Sequence, residues 1–138
     1  MNNTLKGGCC LCGEVQYIIE PHFQSFLYCF CSRCRKVTGS AHASNIYIHP
    51  KYFKWLSGQE NVARYELPSK DSFSTCFCKT CGSPLPHATR SGQLIIIPVG
   101  SINDNLEHRP ENSIFWSSKA SWYRNPDETK KHDEYANE

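Results

Sequence analysis

Cysteine is the residue whose number and spacing in this sequence point most directly to chemistry. Nine cysteines occur in 138 residues, and they form compact groups rather than being scattered along the chain. There are three triplets: Cys9, Cys10 and Cys12; Cys29, Cys31 and Cys34; Cys76, Cys78 and Cys81. Each triplet contains one C-x-C pair and one C-x-x-C pair. Thiolate sulfur at this density is typical of a metal site or a redox centre.

Zinc is the metal that fits these pairs best, because it prefers four tetrahedral ligands and readily accepts thiolate sulfur. Two cysteines one or two residues apart can reach one ion, and a second pair must come from elsewhere in the chain. Nine cysteines fill either two four-sulfur sites with one left over, or one closed site and one open three-cysteine site. The spacing alone does not choose between these arrangements.

Two other thiol chemistries receive less support from the spacing. Ferredoxin-type runs such as C-x-x-C-x-x-C are absent, which disfavours an iron–sulfur cluster. A thiol redox relay is disfavoured because the C-x-x-C pairs lack the βαβ context of thioredoxin-like proteins. Zinc therefore remains the preferred interpretation.

Composition and charge exclude several classes of partner. The net charge is +2, from 15 basic and 13 acidic residues, which is too even to favour nucleic acid or an anionic membrane. The mean hydropathy of −0.53 suits a soluble globular protein. The N-terminal residues lack the apolar core of a signal peptide, and the longest apolar stretch, 94–99, is too short to span a bilayer. We therefore expect a cytoplasmic protein, where cysteines serve metals or catalysis rather than disulfides.

The elements that must position the cysteines read as short strands separated by turn residues. Alternating apolar residues, as at Val15, Tyr17 and Ile19, predict a mainly β fold of several short antiparallel sheets. The predicted strands are 14–19, 23–28, 43–48, 62–67, 73–77, 93–99 and 113–116. The best helix candidate is one or two turns from Cys31 through Lys36. We expect a single zinc-binding β domain over 1–124 and a polar, flexible C-terminal tail over 125–138.

Four stretches, taken in order, resemble a known family. They are 8–15 (GCCLCGEV), 29–36 (CFCSRCRK), 77–85 (FCKTCGSPL) and 118–122 (SKASW). Together they are similar to the glutathione-dependent formaldehyde-activating enzymes, and the match covers about residues 5–123.

The resemblance implies both a fold and an activity. The fold is one of coiled β-sheets, shared with a small zinc protein that acts on Rab GTPases, and it carries two zinc ions per chain. The activity is that of a carbon–sulfur lyase, an S-(hydroxymethyl)glutathione synthase, which detoxifies formaldehyde by joining it to glutathione. By the family pattern the structural zinc ligands are Cys10, Cys12, Cys78 and Cys81. The open zinc site, which is also the catalytic one, is held by Cys29, Cys31 and Cys34.

Two features depart from the family pattern. Family members carry a histidine just before an apolar pair near the C-terminus, where residues 112–115 read NSIF, so no role is expected for that histidine here. Cys9 and Cys76 lie outside the seven expected ligands. We expect them to be spectators, and substitute ligands or an oxidation-prone pair are the alternatives.

The chemistry of an open three-thiolate zinc site favours thiol activation. Three thiolates give the zinc complex a net charge of −1, so it is a weak Lewis acid, but a thiol that coordinates it is still deprotonated. A thiolate can then attack formaldehyde, and the protein contributes mainly proximity. His42 and His87 are the best histidine candidates for a fourth ligand or a proton donor, and Arg33 lies next to the site. The predicted substrate-binding residues are Arg35, Lys36, Lys119 and Trp122.

Two other functions compete with the enzyme interpretation, because a fold does not fix a function. One is a non-catalytic zinc module that binds a protein partner. The other is a thiol-based sensor of redox state or formaldehyde. For the enzyme, the expected partners are glutathione or another small thiol and a small aldehyde.

Overall fold

Short β-strands dominate the computed structural model, which describes residues 4–69 and 73–136. The strands are β1 (Lys6–Cys9), β2 (Gln16–Ile19), β3 (Phe23–Cys29), β4 (Ala43–Ile48), β5 (Phe53–Ser57), β6 (Val62–Glu66), β7 (Ser74–Cys78), β8 (Pro84–Leu85), β9 (His87–Ala88), β10 (Ile95–Pro98) and β11 (Asn112–Ile114). One α-helix, α1, spans Ser32–Thr38. The predicted mainly β fold is confirmed.

The strands form three small sheets. Their orders are β1-β2-β5, β11-β3-β4-β10-β9 and β6-β7-β8. All pairings within them are antiparallel except that of β11 with β3, which is parallel. Each strand predicted from the sequence overlaps an observed one, whereas β1, β5, β8 and β9 were not predicted. Strand β1 reads KGGC and has no apolar alternation, so its strand character comes from its pairing with β2.

The five-stranded sheet separates the main core from the region of the second cysteine triplet. On β4, Ile46 and Ile48 are buried in the core, and on β10, Ile95 and Ile97 join them. The sheet β1-β2-β5 covers this core and contributes the buried ring of Tyr17. Because side chains alternate along a strand, the odd-numbered residues of β4 lie on the opposite face. Burial stabilises the fold by about 1.5–3 kcal/mol for each isoleucine.

Helix α1 connects β3 to β4 and contains the last cysteine of the second triplet. Cys31 caps its N-terminus, with its sulfur accepting a hydrogen bond from the Cys34 amide at 3.3 Å. The helix ends where the Gly39 amide donates to the Arg35 carbonyl at 2.8 Å. Of the helices in the described ranges, none is long and apolar enough to cross a membrane.

The C-terminal segment is exposed throughout its described part, residues 125–136. Its one regular element is a 3₁₀ turn over Pro126–Glu128, capped by the side chain of Asn125. The domain boundary at residue 124 stays a prediction.

Candidate functional site

The first cysteine group in space joins residues far apart in sequence, and we call it the four-cysteine cluster (Cys10, Cys12, Cys78 and Cys81). Its four sulfur atoms all lie within 4.8 Å of one another. The Cys10 and Cys12 sulfurs are 3.6 Å apart, and those of Cys12 and Cys78 are 3.9 Å apart. Sulfurs bound tetrahedrally to zinc at about 2.3 Å would be about 3.8 Å apart. The spacing therefore fits a metal ion such as zinc.

Two glycine turns bring these cysteines together. The Gly13 amide donates to the Cys10 carbonyl at 3.0 Å, and the Gly82 amide donates to the Cys78 carbonyl at 2.8 Å. Both glycines have left-handed backbone angles, with φ of 81° and 76°, which other residues adopt only with strain. The C-x-C and C-x-x-C pairs therefore converge because each is followed by a glycine.

Hydrogen bonds to sulfur orient the thiols of the four-cysteine cluster. The Val15 amide donates to the Cys10 sulfur at 3.3 Å, and the Asn61 side-chain amide donates to the Cys78 sulfur at 3.3 Å. Such bonds favour the charged thiolate over the thiol. Outer partners of this kind fix the direction in which a metal ligand points.

The thiols of this cluster compete for protons. Hydrogen bonds from the side chain and backbone of Ser83 lower the pKa of Cys81 to about 5. The Glu14 amide acts to lower the pKa of Cys12, but burial and the three neighbouring thiols together raise it to about 12. The cluster thus carries negative charge that a bound cation would compensate.

The second group comes from the consecutive residues of β3 and α1, and we call it the three-cysteine cluster (Cys29, Cys31 and Cys34). Its three sulfurs also lie within 4.8 Å of one another, and all three residues are buried. A hydrogen bond with Cys34 lowers the pKa of Cys29 to about 6, and the charge of Arg33 acts in the same direction. The same bond with Cys29 raises the pKa of Cys34, and burial adds to that effect. This cluster therefore offers three ligands for a metal ion and already favours a thiolate at Cys29.

A cavity of about 350 Å³ lies beside the three-cysteine cluster, and all three cysteines line it. Its floor is the outer face of the five-stranded sheet, with Asn45 and Tyr47 from β4 and Ile96 from β10. Phe73, just before β7, and Leu85 of β8 line it from the third sheet, and His87 lines it from β9 of the five-stranded sheet. This volume is within the range of small-ligand sites, about 300–1,000 Å³.

The comparison with known families decides what this arrangement belongs to. The model of the family described as glutathione-dependent formaldehyde-activating enzyme matches residues 5–118. The chain belongs to this family. A curated protein from Halomonas elongata, named "Putative glutathione-dependent formaldehyde-activating enzyme", is 27% identical over 132 residues, covering 86% of this chain and 79% of that protein.

A solved structure shares the fold of this member of the glutathione-dependent formaldehyde-activating family. The crystal structure of a Rhodobacter sphaeroides protein superposes with a TM-score of 0.61 at 24% identity. The superposition covers 78% of this chain and 98% of the Rhodobacter protein. The resemblance inferred from the cysteine motifs is therefore confirmed, and so is the fold class.

The four predicted substrate-binding residues lie outside the lining of the cavity formed by the described residues. Arg35 is half-buried, and Lys36 is exposed. The Lys119 ammonium lies 4.5 Å above the ring of Trp116, and Trp122 is 66% exposed. Their roles stay predictions.

Arg33, the second residue of helix α1, does line the cavity. Its guanidinium lies 5.7 Å from the ring centre of Phe73 and 5.8 Å from that of Phe115. Phe115 itself has a left-handed φ of 56°, a strained conformation for a bulky residue, and it also lines the cavity. This strained phenylalanine is the last residue of the stretch NSIF, 112–115.

The two histidine candidates lie in different places. His87 lines the cavity, and burial together with the nearby charge of Arg64 lowers its pKa to about 4, so it is neutral at pH 7. His42 packs against the rings of Tyr28 and Phe30, with centroid distances of 4.3 and 4.8 Å. Neither belongs to a cysteine cluster within the described ranges.

The two remaining cysteines are also outside both clusters. Cys9 is hydrogen-bonded to Asn103, whose side-chain amide donates to its sulfur at 3.4 Å. Cys76 is buried, and burial raises the pKa of its thiol. This placement favours the expectation that they are spectators, which stays a prediction.

Proposed function

We propose that this protein is a zinc-dependent carbon–sulfur lyase that adds glutathione, or another small thiol, to formaldehyde or a related small aldehyde. The observation that carries the proposal is the three-cysteine cluster, which is buried but opens onto a cavity. Three protein ligands and one free position are the arrangement that catalytic zinc uses. Family membership and the name of the Halomonas relative support the same reaction.

We further propose two zinc ions per chain, one in each cluster. The four-cysteine cluster would close a structural site, and Cys29, Cys31 and Cys34 would hold the second ion. When bound there, zinc would supply the positive charge that keeps an incoming thiol ionised. Clusters of free thiols persist in a reducing compartment, which supports a cytoplasmic location.

The residues of the chain would act by holding the two reactants together. The cavity has room for a thiol and a small aldehyde, so it can hold both reactants beside the cluster. Arg33 at the cavity, and Arg35, Lys36, Lys119 and Trp122 as the sequence predicts, are the candidates to bind the carboxylates of glutathione. Closing an active site around aligned reactants converts a bimolecular step into an effectively unimolecular one.

The test of this proposal is the Cys34→Ser substitution in the zinc-loaded protein. We expect the variant to stay folded and to bind about one zinc ion fewer per chain than the wild type. It should also no longer accelerate formaldehyde–glutathione exchange, as measured by exchange NMR. Cys9→Ser is the matched control, because Cys9 lies outside both clusters and should leave zinc content and exchange unchanged. A Cys34→Ser protein that retains both zinc ions and full exchange activity would contradict the assignment.

A further inference from the structure

Strand β4 leads directly from the three-cysteine cluster along the floor of the cavity. Ala43, its first residue, packs within the cluster and pairs with Cys29 in the sheet. Asn45 and Tyr47 follow at two-residue intervals, so their side chains emerge on the same face, and all three residues line the cavity. The strand therefore presents an amide and then a hydroxyl to any molecule held beside the cluster.

The polar groups of these two side chains, the Asn45 amide and the Tyr47 hydroxyl, have no hydrogen-bond partner in the described part of the chain. Tyr47 is half-buried and packs against the three-cysteine cluster. A tyrosine hydroxyl ordinarily keeps its proton at neutral pH, so the Tyr47 hydroxyl can donate it in a hydrogen bond.

Most of the other hydroxyls at the cavity are already engaged. The Thr38 hydroxyl donates to the Cys34 carbonyl at 2.8 Å, and the Thr89 hydroxyl donates to the Leu94 carbonyl. The Ser74 hydroxyl accepts from the guanidinium groups of two arginines. Thr75 also lines the cavity, but it lies on β7 and not on β4, the strand that begins at the cluster. The Asn45 amide and the Tyr47 hydroxyl thus remain as unengaged donors on the strand that begins at the cluster.

We propose that the Tyr47 hydroxyl and the Asn45 side-chain amide form the site that binds the aldehyde oxygen during addition of the thiol. This inference rests on the proposed lyase function and names two catalytic residues for it. Preorganised neutral donors stabilise an oxygen on which negative charge develops, and they do so most strongly where water is excluded.

The addition step is balanced without a redox partner. The electron pair of the thiolate forms the sulfur–carbon bond with the carbonyl carbon, and the π pair of the C=O bond moves to the oxygen. The resulting alkoxide accepts hydrogen bonds from Tyr47 and Asn45. It then takes up one proton from solvent, which replaces the proton that the thiol released when it ionised.

The first experiment compares Tyr47→Phe with the wild type in the zinc-loaded protein. The substitution removes one hydroxyl group and leaves the ring that packs against the cluster. We expect kcat for formaldehyde–glutathione exchange to fall about 100-fold, while KM for glutathione and zinc content stay unchanged. Tyr65→Phe is the control, since Tyr65 is an exposed tyrosine on β6. Wild-type kcat in Tyr47→Phe would overturn the assignment of Tyr47.

Asn45→Leu is the second variant, and it tests the amide donor of the proposed site even if Tyr47→Phe does not fold. It keeps the size of the side chain and removes the amide donor, so we again expect kcat to fall by about 100-fold at constant KM. Unchanged kcat in this variant would remove Asn45 from the proposed site.

A binding measurement separates this inference from the proposed function. By calorimetry, we expect the wild type to bind S-hydroxymethylglutathione about five-fold more tightly than S-methylglutathione. The concentration of free formaldehyde is kept the same in both titrations. Tyr47→Phe should lose most of this preference. If the wild type shows the preference but does not accelerate exchange, the lyase proposal fails and the oxygen site stands. If it accelerates exchange without the preference, the oxygen site fails and the lyase proposal stands.

Discussion

The two cysteine clusters use the same ligand atoms but are built in different ways. The four-cysteine cluster joins two segments that are 66 residues apart, each held by a glycine turn. The three-cysteine cluster comes from six consecutive residues at the start of a short helix. The four-cysteine cluster provides all four ligands that zinc needs, whereas the three-cysteine cluster provides three and opens onto a cavity.

This difference separates stability from activity. A metal ion that closes a long loop restricts the unfolded chain more than one that closes a short loop. By the scaling of loop entropy, closing 66 residues rather than five is worth roughly 2 kcal/mol more. A four-cysteine metal site should therefore stabilise the fold, whereas a three-cysteine site has a ligand position left for substrate. The predictions below test this division, starting with the largest effect.

Cys78→Ser should prevent the chain from folding. Cys78 is fully buried in the four-cysteine cluster. A structural zinc contributes about 10–16 kcal/mol in zinc-finger peptides, which is comparable to the whole stability of a typical domain, about 5–15 kcal/mol. Loss of the cooperative melting transition and of dispersed amide NMR signals would check this outcome.

The comparison with Cys34→Ser gives this prediction its control. Both substitutions remove one buried sulfur from a cysteine cluster, but only Cys78→Ser is expected to unfold the protein. Equal melting temperatures for the two variants would break the division between a structural and a functional cluster.

Acid should destabilise the protein through His87, on the cavity wall. Folding lowers the pKa of His87 from 6.5 to about 4, because burial and Arg64 disfavour the charged ring. The stabilising contribution is complete above about pH 6.5 and is lost as the pH falls toward 4, because the unfolded chain binds the proton first. Between pH 7 and pH 5 the wild type should lose about 2 kcal/mol of unfolding free energy through this group.

His87→Gln isolates this term, because acid also protonates the cysteines in both proteins. Urea unfolding at pH 7 and pH 5 should show a loss that is about 2 kcal/mol smaller in the variant. If the two proteins lose the same unfolding free energy between pH 7 and pH 5, protonation of His87 does not destabilise the fold, and the lowered pKa of His87 is contradicted.

The smallest effect concerns the hydrogen bonds that orient a ligand. Asn61→Ala removes the donor to the Cys78 sulfur and to the Thr80 hydroxyl. We expect a loss of about 1 kcal/mol and a melting temperature lower by about 4 °C, with faster release of zinc to a chelator. Asn103→Ala removes the equivalent donor to Cys9, which is outside both clusters, and should leave zinc release unchanged. Equal release rates in these two variants would show that the Asn61 bond has no role in metal retention.

The C-x-C and C-x-x-C pairs indicated from local spacing that the cysteines could bind metal. The spacing did not show which pairs share an ion, because Cys12 and Cys78 are 66 residues apart, and the division into four and three ligands came from the resemblance to the family. Strands β8 and β9, at the edges of the third and second sheets, could not be predicted in the same way. Strands β8 and β9 have two residues each, too few to show a period, so they are strands only because their neighbours pair with them.

The lining of the cavity was also beyond the sequence. Arg33 and Arg35 are two residues apart on one helix and therefore point about 200° apart. Only the packing of that helix against the sheet decides that Arg33 lines the cavity. Asn45 and Tyr47 look like the polar side of an ordinary half-exposed strand, and the sequence contains no sign that another sheet covers that side.

The alternation of side chains along β4 separates the residues that line the cavity from those that stabilise the core. Even positions such as Ile46 and Ile48 are buried in the main core, while Asn45 and Tyr47 line the cavity. Substitutions at Asn45 and Tyr47 can therefore change which ligand fits the cavity, while the packing of Ile46 and Ile48 in the core stays the same. The specificity of the cavity and the stability of the core thus depend on side chains on opposite faces of one strand.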